Sequence, residues 1–201
     1  MKPSFINLVV FFLITFASCK KDPVVKPPVP TPEPVVEMLY TNLNNAEVKY
    51  SPSGVWVDLD NDNRPEVLFE VMLVGDFINK KDMYKFNIVT SIRTNVPVNG
   101  NEQIPVFHKG ATIRIENFEG TNWYGASEIT LIEKVVFENS AVVWRGNWLT
   151  VQKSYLPVQL FRNGKWHNGW IELTADHQNE KLILHRAAMS KEPEKIIKAG
   201  L

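Results

Sequence analysis

Apolar and polar residues alternate with a period of two along most of the chain after Met38. Tyr84, Phe86 and Ile88, for example, are separated by Lys85 and Asn87. Because alternate side chains of a strand point to opposite faces, this pattern predicts strands with one apolar and one solvated face. The same alternation occurs at 113–116, 128–131 and 171–174. Apolar runs predict further strands at 54–58, 66–74, 135–137, 141–149, 155–161 and 181–186, which makes about nine or ten strands in all.

Turn signals separate these runs and indicate how the strands are connected. Strands with one packed face are typical of antiparallel sheets, so we predict an all-β, mostly antiparallel fold. A β-sandwich is favoured, and a barrel-like roll is the second choice. Only 38–46 has a pattern compatible with a short helix. Three dipeptides are of the kind favoured in tight hairpin turns, namely Asn99-Gly100, Asn163-Gly164 and Asn168-Gly169.

The N-terminal segment has a different pattern. Lys2 is followed by an almost continuous apolar run at 5–16 (FINLVVFFLITF), then by two small residues and Cys19. A short basic region, an apolar region and small residues before the cleavage point form the layout of a signal peptide, here 1–18. The apolar run is too short to span a membrane, which takes about 20 residues. We therefore predict that the protein is exported.

The end of this segment resembles the lipobox of bacterial lipoproteins. The matching residues are 16–19 (FASC), with Phe16 in place of the more usual Leu, and Cys19 is the only cysteine of the chain. The resemblance implies that Cys19 carries acyl chains, in which each buried CH₂ contributes about 0.8 kcal/mol to anchoring. The following 20–22 (KKD) is similar to the start of mature Bacteroidetes lipoproteins, which implies the outer membrane and leaves its two faces open. The alternative is an ordinary signal peptide with an incidental cysteine.

A proline-rich segment follows the cysteine. Six of the twelve residues at 23–34 (PVVKPPVPTPEP) are proline. Proline fixes φ and lacks an N–H group, so this run forms neither a helix nor an internal strand. We predict that 19–37 is a linker with a reach of roughly 50 Å in extended polyproline geometry. The remaining residues, 38–201, suit a single β domain of ordinary size.

Composition and charge exclude several classes of protein. Hydrophobic residues make up 44% of the 201 residues, which is typical of a globular chain and not of a disordered or collagenous one. Twenty-two basic residues balance 22 acidic ones, without the clustered basic face that binds nucleic acid. The single cysteine excludes an intramolecular disulfide. Nucleic acid is thus not a predicted partner. The predicted partners are a membrane, through the lipid anchor, and a glycan or another envelope protein.

One segment carries a pattern of metal-ligating residues. In 58–66 (DLDNDNRPE), carboxylates occupy the first, third, fifth and ninth positions, and the seventh offers a backbone carbonyl. Hard Ca²⁺ prefers several oxygen ligands with this alternating spacing. The sequence therefore predicts a structural Ca²⁺ site with the ligands Asp58, Asp60, Asp62, Glu66 and the carbonyl of Arg64.

The acidic loop differs from an EF-hand and is similar to another calcium motif. An EF-hand has Gly at the sixth position and Glu at the twelfth, where this chain has Asn63 and Phe69, and the flanking patterns are those of strands. Residues 58–69 resemble the Ca²⁺ loops of FG-GAP and related extracellular repeats. The loop occurs once, so a propeller is not predicted. Asn63 tolerates the left-handed conformation that Gly provides. A solvated acidic turn held by Asx hydrogen bonds is the alternative to an ion site.

A longer resemblance covers roughly 150–200. Its matching segments are 155–161 (YLPVQLF), 164–173 (GKWHNGWIEL), 182–185 (LILH) and a tail through Pro193 to Ala199-Gly200. They are similar to a C-terminal pattern of secreted and lipid-anchored bacterial proteins, in which a Gly-Trp-Ile/Val-x-Leu strand precedes a last strand and a proline-containing tail. The resemblance implies β architecture and export, and it implies no reaction.

No motif identifies a reaction. The chain contains no metalloprotease, nucleophile-elbow, phosphate-loop or dinucleotide signature. Its four histidines, His108, His167, His177 and His185, are scattered and define no site by themselves. We therefore predict an outer-membrane-anchored binding or scaffold module. The alternative is an extracellular or periplasmic hydrolase that acts on glycans.

Aromatic residues supply a candidate ligand platform. The chain has six tryptophans, and exposed indole rings can form flat surfaces for sugars, whereas buried rings fill a core. Core packing is the more common role. Trp144 and Trp148 share a face if 141–149 is one continuous strand. The candidate platform residues are Trp123, Tyr124, Trp144, Trp148 and Trp166.

Overall fold

The computed structural model describes residues 35–118, 120–139 and 142–201. The predicted signal peptide 1–18, the lipidation site Cys19 and the linker up to Pro34 lie outside these residues. The described part of the chain forms thirteen strands: β1 (Met38–Val48), β2 (Val55–Val57), β3 (Val67–Asp76), β4 (Lys81–Thr90), β5 (Thr94–Asn99), β6 (Thr112–Ile113), β7 (Thr121–Gly125), β8 (Glu128–Phe137), β9 (Val143–Arg145), β10 (Ser154–Arg162), β11 (Lys165–Asp176), β12 (Lys181–Ser190) and β13 (Ile197–Lys198).

The strands are arranged in two large sheets and one small one. The six-stranded sheet has the order β1-β12-β11-β10-β5-β7, and the five-stranded sheet has the order β2-β3-β4-β8-β9. The short strands β6 and β13 pair with each other. Every strand pair is antiparallel. A single 3₁₀ turn, His177–Asn179, connects β11 to β12.

The architecture confirms the predicted fold class. Strands make up 58% of the structure, and its sheets do not close into a barrel. The two large sheets instead enclose apolar side chains between them, as in a β-sandwich. Thirteen strands form where the pattern predicts nine or ten, because several of them have only two or three residues.

Two apolar clusters hold the layers together. The main core joins the inner faces of the two large sheets, and the side chains at its centre are fully buried: Phe69, Ile88 and Leu131 from one sheet, Leu156, Ile171 and Leu184 from the other. The second core, formed by Ile113, Tyr155, Trp170, Ala188, Ile197 and Ala199, lies on the opposite face of the six-stranded sheet, under β6 and β13. The six-stranded sheet is therefore covered on both faces along part of its length.

Of the predicted turn dipeptides, Asn163-Gly164 forms a turn and Asn168-Gly169 does not. Asn163-Gly164 forms the two-residue turn between β10 and β11, where both residues have positive φ, 51° and 78°. This is the geometry of the hairpin turn that such dipeptides favour. The turn predicted at Asn168-Gly169 is wrong, because both residues lie in the buried middle of β11.

Two further sequence predictions are corrected by strand pairing. The segment 38–46 is not a helix, because β1 pairs with β12 from Met38 to Val48. The segment 141–149 is not a continuous strand, since β9 ends at Arg145 and Gly146 adopts a φ of 119°. Trp144 and Trp148 therefore do not share a strand face. Within the part of the chain that the structure describes, no helix is long and apolar enough to cross a membrane.

Candidate functional site

The acidic loop 58–66 connects β2 to β3 at one edge of the five-stranded sheet. The backbone N–H of Glu66 donates to the carbonyl of Val57 at 3.0 Å and closes the base of the loop. The Leu59 side chain is fully buried in the main core and anchors the loop from inside. Its backbone N–H donates to Glu66 Oε2 at 2.8 Å. The loop is thus fixed at both ends by buried groups.

Backbone N–H groups of the loop donate hydrogen bonds to carboxylates of the same loop, so the chain winds around these side chains. Asp58 accepts from the N–H of Asn63 at 2.8 Å and of Asp62 at 3.3 Å. Asp62 in turn accepts from the N–H of Arg64 at 2.8 Å. This winding requires left-handed residues, and Asn61 and Asn63 have φ of 59° and 65°. Asn63 therefore adopts the conformation that Gly provides in related loops.

The four predicted carboxylates converge. One oxygen from each of Asp58, Asp60, Asp62 and Glu66 lies within 4.8 Å of the others, which is close enough for all four to hold one metal ion. Glu66 is 8% exposed and the Asp60 side chain 7% exposed. The guanidinium of Arg162, at the end of β10, is 3.5 Å from Asp60. Among the described residues, this is the one ion pair that any of the four carboxylates forms.

Burial, together with the neighbouring charges, changes the acidity of Glu66. Burial is the largest cause and raises the pKa of its carboxyl to about 7, and the charges of Asp60, Asp58 and Asp62 raise it further. The hydrogen bond from the Leu59 N–H acts in the opposite direction. A buried carboxylate among like charges is destabilising unless a cation compensates it. The loop is therefore arranged to gain from a bound divalent cation.

The ligand chemistry of the loop selects among metals. The side-chain ligands are oxygen atoms, with no sulfur or imidazole among them. Hard cations such as Ca²⁺ prefer oxygen ligands, whereas zinc and copper sites use nitrogen and sulfur. Ca²⁺ generally takes six to eight oxygen ligands, so four carboxylates would leave positions for a carbonyl or for water. The carbonyl of Arg64 stays a predicted ligand.

The five candidate platform residues do not form one surface. Trp148 is fully buried, with its Nε1 donating to the carbonyl of Ile104 at 2.9 Å, so it is not accessible to a ligand. Trp144 packs between Phe86 and His177 on the inner side of β9. Trp123 and Trp166 are half-buried. Only Tyr124 is largely exposed, at 53%, where it lines an open cleft of about 700 Å³ beside β5 and β8.

The histidines are also dispersed, and one of them belongs to a polar cluster. His167 is buried, with Nδ1 bonded to the carbonyl of Ser190. His185 donates from Nδ1 to Asn45 Oδ1 at 2.7 Å, and its Nε2 is hydrogen-bonded to the hydroxyl of Thr174 at 2.9 Å. Burial lowers the pKa of His185, in keeping with a neutral ring.

The polar cluster around His185 lies on the outer face of the six-stranded sheet. Glu172 on β11 accepts from Nε of Arg186 on β12 at 2.5 Å. No sequence motif singles out these residues, because strand pairing alone brings together positions fourteen apart. The one available signal is the break in alternation at His185-Arg186, where two polar residues follow each other within β12.

The class that fold and site define is an all-β, sandwich-like domain with one acidic loop between strands. Comparisons of the chain with protein-family models, with curated proteins and with solved structures find no match.

Proposed function

We propose that this protein is a lipid-anchored binding or scaffold domain of the outer membrane whose 58–66 loop holds a structural Ca²⁺ ion. The observation that carries the calcium part is the convergence of four carboxylates within 4.8 Å on a loop that is anchored at both ends. The lipid anchor and the outer membrane rest on the sequence at 1–37.

Electrostatics favours the ion over a solvated turn. Exposed carboxylates in a turn repel each other weakly because water screens them, but Asp60 and Glu66 are largely withdrawn from water. Asx hydrogen bonds account for the fold of the loop and do not remove this repulsion. A divalent cation at the point of convergence would remove it.

The proposed role of the ion is structural. The loop is the connection between β2 and β3, and Asp60 also contacts Arg162 of the six-stranded sheet. A cation bound to Asp60 would therefore fix the loop close to its contact with the end of β10. Such a role suits a domain that works outside the cell, where millimolar calcium fills even weak sites.

Calorimetric titration of Ca²⁺ into the chelator-treated mature protein tests the site. We expect one Ca²⁺ to bind per chain, and we expect Asp60→Asn to weaken binding at least about tenfold, which corresponds to 1.4 kcal/mol. Asn keeps the shape of the side chain and removes its charge. Asp82→Asn is the matched control, because Asp82 is an exposed residue of β4 outside the loop. Absence of heat up to millimolar Ca²⁺, or equal affinity in Asp60→Asn, would contradict the proposal.

Lipid anchoring has its own test, which does not involve calcium. In bacteria grown with radioactive palmitate, we expect the protein to be labelled and to sediment with the membranes. Cys19→Ser should lose the label and appear in the soluble fraction, because the thiol is the attachment point, whereas Lys21→Ala should behave like the unchanged protein. An unlabelled Cys19 protein would show that the segment is an ordinary signal peptide.

A further inference from the structure

Two β-bulges meet on the outer face of the six-stranded sheet. In β1 the register with β12 shifts between Asn42 and Ala46, and Asn44 and Asn45 both have a φ of 54°. In β12 an extra residue, His185, lies opposite the step from Glu172 to Leu173. Bulges redirect side chains and are frequent next to functional sites. Here they bring side chains of three neighbouring strands to one groove of about 370 Å³.

The central group of this groove is the guanidinium of Arg186. Its Nε donates to Glu172, which is only 6% exposed, and its Cζ lies 5.2 Å from the ring centre of the fully buried Trp170. A surface arginine usually samples many conformations, but this one is held by a buried carboxylate and an aromatic face. Its side chain nevertheless remains 44% exposed. Arg186 is thus preorganised and accessible at the same time.

The groove has an excess of positive charge. Among the described residues, Arg186 forms its one ion pair with Glu172 through Nε, and its guanidinium also interacts with the hydroxyl of Tyr155. A guanidinium has five N–H groups, so donors remain for a ligand. Lys153, the other cation of the lining, forms no ion pair within the same part of the chain. His185 is hydrogen-bonded to Asn45 and Thr174, and burial lowers its pKa. Two cations therefore face one carboxylate, which favours an anionic ligand.

The remaining lining is aromatic and amide-rich. Tyr40 is 51% exposed and packs edge-on against Trp170, at 6.2 Å between ring centres. The amide oxygens of Asn42 and Asn45 accept from Asn44 N–H and from His185, which leaves their NH₂ groups as donors. A ring face suits the apolar face of a sugar, and amide donors suit its hydroxyl oxygens.

We infer that this groove binds a sugar that carries a carboxylate, with the fork of Arg186 on the carboxylate and Tyr40 against the ring. Arg and carboxylate form paired hydrogen bonds of fixed geometry, which a neutral sugar cannot make. The inference gives a ligand class to the binding role of the proposed function. It requires neither the calcium loop nor the lipid anchor.

Calorimetric titration of the mature protein with glucuronate and with a galacturonate trimer tests the inference. We expect saturable binding of the trimer and at least tenfold weaker binding by Arg186→Lys, which keeps the charge and removes the fork. Arg145→Lys is the matched control, because Arg145 is an exposed residue of β9 in the other sheet. Thermal melting establishes that each variant is folded. Tyr40→Ala, a substitution at an exposed position, is a second test of the groove if Arg186→Lys does not fold. We expect it to weaken binding of the trimer as well.

Several outcomes would overturn the inference. Binding of glucose or inorganic phosphate as strong as that of the uronates would exclude the ligand class. If folded Arg186→Lys and Tyr40→Ala bind the trimer as tightly as the unchanged protein, the groove is excluded as the binding site. If the unchanged protein does not bind the trimer at millimolar concentration, both the groove and the ligand class are excluded. Calcium titration of the same samples separates the two proposals: an intact calcium heat without sugar binding contradicts the groove alone, and the reverse contradicts the calcium loop alone.

Discussion

Saturating calcium is expected to raise the melting temperature of the chelator-treated protein by roughly 5–10 °C. A ligand present at about 100 times its Kd stabilises the folded state by about 2.7 kcal/mol. For a domain of this size each kcal/mol moves the melting temperature by about 2–4 °C. The folded protein gathers one oxygen each of Asp58, Asp60, Asp62 and Glu66 within 4.8 Å of one another, so we expect the ion to bind the folded state more tightly than the unfolded chain. Melting curves with EDTA and with excess Ca²⁺ provide the measurement.

The variants used for calorimetry also make this prediction specific. In Asp60→Asn the calcium-dependent rise in melting temperature should fall to a small fraction of its value in the unchanged protein. In Asp82→Asn it should be the same as in the unchanged protein. Magnesium should stabilise less than calcium, because Mg²⁺ demands a smaller octahedral site and keeps its water. A shift of the same size in Asp60→Asn would place the stabilising ion elsewhere on the protein.

Gly169→Val is expected to lower the free energy of unfolding by roughly 3 kcal/mol, at the upper end of the usual range for overpacking a core. A Cβ atom at this position would lie 2.0 Å from Met189 Sδ and 2.6 Å from the carbonyl oxygen of Ala188. The Met side chain can move, but the Ala188 carbonyl belongs to the β12 backbone and cannot move without disturbing the sheet. The expected fall in melting temperature is roughly 6–12 °C.

Gly100→Val is the matched control for this prediction. Gly100 follows β5 in a turn, has no positive φ, and a Cβ there meets no atom within 4 Å. Its substitution should change stability by no more than about 0.5 kcal/mol, as is usual for exposed positions. Denaturant unfolding of the two variants measures both values. Equal stability of Gly169→Val and the unchanged protein would mean that β11 and β12 do not approach as closely as described.

The two Asn-Gly dipeptides of β10 and β11 illustrate how far local patterns reach. Asn163-Gly164 is flanked by Arg162 and Lys165, which pair with each other, so the dipeptide forms the turn that its conformational preferences favour. In Asn168-Gly169 the same residue types serve a different purpose. Gly169 is needed because β12 packs closely against it, and Asn168 donates to backbone carbonyls of Ile113 and Lys195. Contacts distant in sequence decide between these uses.

The segment 38–46, whose pattern is also compatible with a short helix, has a similar explanation. Leu39 and Leu43 are four residues apart, a spacing that puts side chains on one side of either a helix or a strand. Pairing with β12 selects the strand and supplies its backbone hydrogen bonds. The position of Trp148 is also decided by contacts distant in sequence. The chain leaves the strand direction at Gly146, whose φ is positive, and the Trp148 ring lies in the core and donates to the carbonyl of Ile104.

The acidic loop could be found from the sequence because its chemistry is local. Its four carboxylates lie within nine consecutive residues, so their convergence needs only the turn between two strands and a left-handed Asn63. The groove around Arg186 could not be found in this way. Its residues come from β1, β11 and β12, and their meeting depends on strand order and on the two bulges.

The amino-acid sequence by itself determined the β class of the fold, the spacing of the acidic residues in the 58–66 loop and the hairpin at Asn163-Gly164. Each of these follows from alternation or from turn preference, which act between residues close in the chain. Only the tertiary structure decided which strands belong to each sheet, the burial of Trp148 and the pairing of Arg186 with Glu172. These depend on register between distant strands, and a register is chosen by the whole apolar surface that it buries.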